Sequence, residues 1–453
     1  MTDTLPKEFC VRMKNLLTDE YADFINSYNS EPLKGLRINS LKCSVEKLKS
    51  LLDITLMPSP FSPMNFYTHG GKISGNSPLH HCGAFYFQEP SASSAVTVLD
   101  VSQGEKILDL CAAPGGKSTQ IAALLNNTGV LWSNEIVRSR SMILLSNIER
   151  MGIKNCIVSS LPPDILCNSL SGYFDKVLVD APCSGEGMFR KDPQAISEWS
   201  LEHTFSCGER QLQILNSAKK ALKDGGVLVY STCTFSVDEN ERVIERFLSQ
   251  NKDFSLCDCQ NYAFGRGGYG MPQVKRIYPM DGGEGHFVAK LIRNNPDCGY
   301  TPEKNSSVGR LDKNTKEIIR QAENLYTEIF GNAHCPAFTV VKDKVLIMPS
   351  VMPDYQGKGI IRCGILFGEI RKNRIEPAHH LFTSSKLSDF SNAVDFDLHD
   401  DKLNDFLCGK EIHIRSAVKG YTAVGVNGMT LGFGKTSDGK LKNKYPKGLR
   451  KVN

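Results

Sequence analysis

The 453-residue sequence contains no run of about 18 apolar residues, so no segment reads as a conventional membrane-spanning helix. Its first stretch, Met1 to Leu17, mixes polar, charged and apolar residues and lacks the apolar core of a secretory signal. A cytoplasmic protein without a membrane partner is expected. C-x-x-C pairs are also absent, although the chain holds 15 cysteines; the closest two are Cys257 and Cys259. The usual zinc spacings are therefore missing and no metal site is expected. With no export signal the thiols should stay reduced, most of them as small buried hydrophobes. Repeats and low-complexity segments are missing as well. A composition of 40% hydrophobic and 23% charged residues fits folded domains rather than disorder.

Acidic residues are scarce at one end. The last 19 residues, Lys435 to Asn453, hold seven basic residues and only one acid, Asp438. From Thr301 onward there are 24 basic and 17 acidic residues, against 30 and 32 before it. The net charge of +5 is thus carried by the C-terminal third. Such a region suits a polyanion such as RNA; a solvated tail is the alternative that charge alone leaves open.

Between about Lys106 and Arg293, short apolar runs alternate with amphipathic ones. Ile107–Cys111, Gly129–Asn134, Asn155–Ser159, Asp175–Asp180, Val227–Thr232 and His286–Ile292 read as strands. Lys117–Leu125, Val137–Met151, Gly208–Leu222 and Asp238–Gln250 read as helices, the third stopped by Gly225-Gly226. This alternation predicts a largely parallel α/β sheet with its ligands at the carboxyl ends of the strands. Residues 1–100 form a different pattern. A helix over Lys7–Tyr28, Leu36-Arg37-Ile38-Asn39, a helix over Val45–Leu52 and a Pro-rich stretch suggest a small α+β lobe. A separate α/β unit then spans 101–294. Pro296, Pro302 and Ser306-Ser307 mark a linker over 295–320. Residues 321–453 show short strand-like runs such as Phe338–Val341 and Tyr421–Val426, as expected of a β-rich domain.

The first predicted strand ends in Asp109-Leu110-Cys111-Ala112-Ala113-Pro114-Gly115-Gly116-Lys117-Ser118-Thr119. Small residues let a ligand approach the backbone, and the next helix offers free N–H groups. Gly116-Lys117-Ser118 resembles the end of a P-loop. That loop needs glycine where Cys111 stands, and Pro114 removes an N–H that a phosphate cradle would use. The alternative is the S-adenosylmethionine loop of a Rossmann-like methyltransferase. It requires an acid after the next strand, about 20 residues on, and Glu135 stands there.

The fourth strand ends in Asp180-Ala181-Pro182-Cys183-Ser184-Gly185, the fifth in Ser231-Thr232-Cys233-Thr234. A lone cysteine is usually packing. These two follow neighbouring strand ends among small polar residues, where side chains face the crevice. Carbon 5 of cytosine is a poor nucleophile. A thiolate adding to carbon 6 pushes electron density onto carbon 5, which then takes a methyl group. An ordinary thiol is only a few per cent ionised at neutral pH, so the site must favour the thiolate or react from a minor population. Asp180 would hydrogen-bond the base edge, and Lys191 would add positive charge.

On these motifs the chain resembles the NOL1/NOP2/Sun family of RNA cytosine-5 methyltransferases, in particular the bacterial ribosomal RNA enzymes of the RsmF type. Tyr86 to Ala92, Asp109 to Thr119, Asp180 to Pro193, Ser231 to Glu241, Gly283 to Lys290 and Lys442 to Arg450 carry the resemblance. It implies a class I methyltransferase domain and a C-terminal PUA-like RNA-binding domain. Gly364–Phe367, Glu376–His380 and Gly420–Val424 look like segments of the latter. It further implies Cys233 as nucleophile and Cys183 as the residue assisting product release. Cys111, Ala112, Ala113, Pro114, Gly115, Gly116, Lys117, Glu135 and Asp180 would line S-adenosylmethionine. The substrate would be RNA, expected to be 16S ribosomal RNA or the small subunit. One departure stands out: the family's acid near the adenine falls on Pro162.

Three further features complete the reading. Arg266 and Lys275-Arg276 are possible phosphate contacts, with solvated charge the alternative. His80-His81, with no third metal ligand nearby in sequence, read as structural or as support behind a site. An assembly factor that merely kept the fold would be expected to lose Cys183 or Cys233, and both are present.

Overall fold

The strand-like segments between Lys106 and Arg293 assemble into one mixed sheet. The computed structural model describes residues 5–71, 73–294, 312–355, 357–372, 374–414 and 419–451. Its catalytic strands are β1 Lys106–Asp109, β2 Val130–Asn134, β3 Cys156–Ser159, β4 Phe174–Asp180, β5 Leu222–Thr232, β6 Phe254–Cys257, β7 Arg266–Gly268, β8 Met271–Ile277, β9 His286–Arg293 and β10 Ile360–Cys363. The order is β7-β8-β9-β5-β4-β1-β2-β3-β10, with β6 pairing β9. The five central strands are parallel, whereas β9 and β10 join antiparallel at either side.

The inner strands are apolar because both of their faces are covered. Leu108, Trp132, Val177 and Tyr230 face one core with helices α4 (Leu201–Ala221) and α5 (Glu241–Gln250). Ile107, Leu131, Leu178 and Val229 face the other, against α1 (Gly116–Leu125) and α2 (Arg138–Arg150). Burying each such side chain contributes about 1.5–3 kcal/mol. One prediction fails locally. Helix α4 ends at Ala221, where Leu222 turns extended, so Gly225-Gly226 does not stop it. That pair lies inside β5, with Gly225 at φ +71°.

The N-terminal lobe holds helices Lys7–Leu17 and Tyr21–Ser27 and a four-stranded antiparallel sheet. Its boundary falls earlier than residue 100: the helix Ser94–Leu99 packs Ala95, Val96, Val98 and Leu99 into the catalytic core. The predicted linker is also shorter, because 313–320 are the first turns of helix Lys313–Phe330. Pro296, Pro302 and Ser306-Ser307 lie outside the described residues. The region read as one C-terminal domain holds two sheets, one of four strands from Phe338 to Pro377 and one of five from Ala393 to Asn443. It also sends β10 into the catalytic sheet, where Cys363 pairs with Ile157.

The two ends of the chain share a core. Leu36, Phe66 and Phe85 of the lobe pack with Phe406, Val424 and Tyr445. His81 Nδ1 lies 2.7 Å from the Tyr445 hydroxyl across this seam, which agrees with a structural role for the His80-His81 pair. Among the described residues no helix is long and apolar enough to cross a membrane, and no cluster of three His, Cys, Asp or Glu could hold a metal ion.

Candidate active site

The loop after β1 is held from three sides. Ala112 N–H donates to Asn134 O at 2.8 Å, which ties the loop to the end of β2. Arg140 and Asn147 of α2 donate to the carbonyls of Ala113 and Pro114. Arg37, a buried arginine from the lobe, donates to Gly116 O at 2.6 Å and to Thr119. Gly115 stands at φ +116°, a backbone conformation that side chains rarely adopt, and it opens α1. Glu135 is buried at the end of β2; its carboxylate accepts from Val137 N–H at 2.9 Å and pairs with Arg140.

Below the loop, Asp109 accepts from Ser118 Oγ at 2.7 Å through one oxygen. Its Oδ1 is buried and has no hydrogen-bond partner among the described residues. Burial pushes this carboxyl up to about 7, with Asp180 adding repulsion. Burial, with Asp109, Asp180 and Glu135 nearby, pushes the Cys111 thiol well above its usual range, so this cysteine stays protonated.

Asp180 ends β4 and is held at both oxygens. Ser231 of β5 donates to Oδ1 at 2.7 Å and Lys117 of α1 to Oδ2 at 2.7 Å. Burial alone would lower the Lys117 ammonium. Asp180, assisted by Cys233 and Asp109, outweighs it and raises Lys117 overall.

The two cysteines meet at this point. Cys183 Sγ and Cys233 Sγ are 3.3 Å apart, and both side chains are partly exposed. The hydrogen bond to Cys233, followed by burial, pushes Cys183 well above the usual thiol range. Either sulfur can be the donor in this contact. A small-residue neighbourhood permits this approach: a Cβ on Gly187 would lie 2.8 Å from Gly285 O and 3.0 Å from Cys233 O.

One carboxyl group joins the two loops. Glu239 accepts from Ser184 N–H at 2.8 Å, from Ser184 Oγ, from Thr234 Oγ1 at 3.2 Å and from Gln211 at 3.0 Å. Ser184 and Thr234 are the residues next to the cysteines. Burial, with Glu186 nearby, pushes Glu239 up to about 7. Glu186 repeats the pattern, accepting from Phe235 N–H at 3.0 Å, from Trp199 at 2.8 Å and from Arg12 of the lobe.

Sequence reasoning assigned no role to Glu239, Glu186, His286 or Arg37. Asp238-Glu239-Asn240-Glu241 looks like ordinary acid enrichment at a helix start, and nothing local marks one of these acids as buried. His286 sits 2.9 Å from Ser91 Oγ and 3.6 Å from Glu89; burial, then Lys117, pushes it down to about 4. Lys191 is exposed beside this group, where its charge acts on His286 and Glu284. No described contact joins it to either cysteine.

Three expected phosphate contacts are otherwise engaged. Arg266 pairs with Glu20 and Asp281, Arg276 is buried against Glu241, and Lys275 is buried near Gln260. Pro162 caps helix α3 (Pro163–Ser169), and its carbonyl accepts from Leu166 N–H, leaving no acid at that point.

Comparison with known proteins agrees along the whole chain. Residues 96–292 match the family described as 16S rRNA methyltransferase RsmB/F, and 5–90 match the N-terminal domain of 16S rRNA methyltransferase RsmF. Residues 319–384 match the RsmF first C-terminal domain and 393–451 the RsmF PUA domain. Gly364–Phe367 and Glu376–His380, expected in the PUA-like domain, thus fall in the domain before it. Ribosomal RNA small subunit methyltransferase F of Vibrio vulnificus (strain YJ016) is 33% identical, covering 98% of this chain and 97% of that protein. The protein of the same name from Vibrio cholerae (strain M66-2) is 32% identical over 98% of each. Among solved structures, NSun6 from Pyrococcus horikoshii with SFG, an S-adenosylmethionine analogue, has a TM-score of 0.59 at 25% identity. It covers 64% of this chain and 98% of its own. A methyltransferase homolog from the same organism has a TM-score of 0.57 at 28% identity, over 64% and 95%. With every domain matched in order, the chain belongs to the RsmF family of S-adenosylmethionine-dependent 16S ribosomal RNA methyltransferases.

Proposed function

We propose that this crevice methylates carbon 5 of a cytosine in 16S ribosomal RNA through a transient bond between a cysteine sulfur and carbon 6. The observation that carries the reading is the pair of sulfur atoms 3.3 Å apart beside the Lys117–Asp180 ion pair. When bound, S-adenosylmethionine supplies an electrophilic methyl group. The acceptors around the loop fit it: Glu135 at the end of β2 suits ribose hydroxyls, and the unpartnered Asp109 Oδ1 suits a cationic or N–H group. Cys111 to Lys117 would line it by backbone, with Asp180 beside them.

Cys233 is the nucleophile in this scheme. Cys183, raised above the usual thiol range, holds its proton beside the Cys233 sulfur as Cys233 attacks. Asp180, fixed by Ser231 and Lys117, retains lone pairs for the exocyclic amine of the base. Lys117 balances the negative charge that builds as sulfur attacks carbon 6. Lys191 adds positive charge at the rim, where a phosphate would pass. Carbon 5, made electron-rich by the attack, takes the methyl group; a water molecule then accepts the carbon 5 proton as the sulfur–carbon 6 bond breaks and Cys233 leaves as thiolate, with Cys183 assisting release. Extrahelical capture of the base costs a few kcal/mol, which RNA contacts from the lobe and the PUA domain offset. The same reading puts the protein in the cytoplasm with its RNA.

The test is a denaturing gel after incubation with S-adenosylmethionine and unmodified 16S ribosomal RNA. Cys183→Ala is expected to leave a denaturant-stable protein–RNA adduct, and Cys233→Ala none. An adduct from Cys233→Ala alone would reverse the two roles. Methyl transfer by wild type without an adduct in any variant would refute the covalent route.

A further inference from the structure

A cavity of about 540 Å³ opens where the lobe, the catalytic domain and the C-terminal region meet. It lies beyond the last turns of α1 and α2, at the helix ends away from the cofactor loop. Its wall carries Lys42 from the lobe, Lys154 from the segment after α2 and Lys386 from the C-terminal region. Lys47 reaches its rim, since a Cβ on Gly428 would sit 3.2 Å from Lys47 Nζ. Hydroxyls of Ser384, Ser385 and Thr430 complete the lining.

None of this charge is held in an ion pair: among the described residues none of these four ammonium groups pairs with a carboxylate. Lys42 donates only to a backbone carbonyl, Thr383 O. Burial pulls Lys42 down to about 8, with repulsion from Lys154 adding to it. Burial also lowers Lys154, against the pull of Asp389. Asp389 itself accepts from the Lys386 backbone N–H, and Asp395 from Gly428 N–H. Asn127, also in the wall, has a buried side-chain oxygen without a partner. Half a turn of its amide presents an N–H2 group instead. Gly152 lets Thr383 and Lys42 approach closely: a Cβ there would clash with Thr383 O and lie 3.0 Å from Lys42 Nζ.

Cations from three parts of the chain converge here, two of them, Lys42 and Lys154, with their charge disfavoured by burial and none in an ion pair, an arrangement that an anion arriving from outside would relieve. We propose that this cavity binds a backbone phosphate of the RNA substrate, at a point remote from the methylated base. The ligand class is a phosphodiester, held by ammonium groups and hydroxyl donors without reading sequence. One phosphate would touch all three parts of the chain together. The inference rests on RNA being the substrate.

Lys154→Gln, Lys386→Gln and the double variant test it, by filter binding of unmodified 16S ribosomal RNA over a salt series. The double variant is expected to bind about tenfold more weakly at moderate salt, and the slope of log affinity against log salt should fall by about one. Lys154→Arg should retain wild-type binding. Thermal midpoints and S-adenosylmethionine affinity check that each variant is folded. Unchanged RNA affinity and slope in the double variant, with wild type methylating the RNA, would overturn the cavity assignment alone. A wild type that neither binds nor methylates RNA would overturn both readings. A third arm titrates adenosine monophosphate. Tight binding that the double variant loses, with RNA affinity unaltered, would assign the cavity to a free nucleotide and overturn the RNA assignment.

Discussion

The crevice at the carboxyl ends of the strands and the cavity beyond the helix ends both concentrate charge, and they treat it oppositely. In the crevice three cations are ion-paired, Lys117 with Asp180, Arg190 with Glu284 and Arg276 with Glu241, while Arg37 is held by uncharged acceptors and Lys191 lies exposed. In the cavity Lys42, Lys154 and Lys386 converge without an ion pair among the described residues. Chemistry on a base needs groups that are already oriented when the substrate arrives, because reorganisation during the reaction raises the barrier. Gripping a polyanion needs charge left free for the partner to neutralise. Pairing therefore separates the two tasks better than the number of charges does.

That comparison can be broken by substitution. The largest effect is expected at Arg276. If it is internal wiring, Arg276→Ala leaves Glu241 buried and unpaired and lowers stability by about 3–5 kcal/mol. Chemical denaturation would read this as a shifted midpoint. A fully stable variant with weakened RNA binding would instead put Arg276 among the phosphate contacts.

Next comes Glu239. Ser184 N–H and Gln211 share one Glu239 oxygen, so Glu239→Gln keeps both only by turning its N–H2 toward Ser184 Oγ and Thr234 Oγ1, which must then accept and lose their own acceptor there. We expect kcat to fall about 10–100-fold, with KM for S-adenosylmethionine retained. The adduct in a Cys183→Ala background should form more slowly by a similar factor. A proportional loss of cofactor affinity would make Glu239 a general fold support rather than a clamp on the cysteine loops.

The smallest effect is a pH dependence. The Asp109 carboxyl is raised to about 7 in the fold, above its unfolded value of about 3.9. The neutral form therefore favours folding, fully below the unfolded value, and that contribution is lost as pH rises toward 7. The thermal midpoint of Asp109→Asn minus that of wild type should grow from pH 4 to pH 7 and level off above. A difference that stays flat with pH would show that Asp109 keeps an ordinary pKa.

How far these features were legible depended on their range. Asp180, Cys183, Cys233 and the Cys111–Lys117 loop sit at strand ends, and strand ends announce themselves through short apolar runs followed by small residues. Glu135 followed from spacing alone. Gly225-Gly226 misled because glycine marks a helix stop and a positive φ inside a strand equally well. Arg266 and Arg276 misled because a basic residue reads as exposed until its acid is found; Glu20 lies 246 positions from Arg266. The division of the C-terminal region into two units was invisible for a similar reason. Both parts show the same short strands, and only their pairing separates them.

By itself the sequence determined the α/β order of the catalytic domain, the cofactor loop and the two cysteine motifs, because each is written in residues close together along the chain. Only the tertiary structure decided that the sulfur atoms meet at 3.3 Å, that Glu239 binds both of their loops, that β10 completes the sheet and that three distant lysines share a cavity. Those outcomes depend on which buried surfaces close on one another. A residue's neighbours in the chain carry almost no record of a partner more than a hundred positions away.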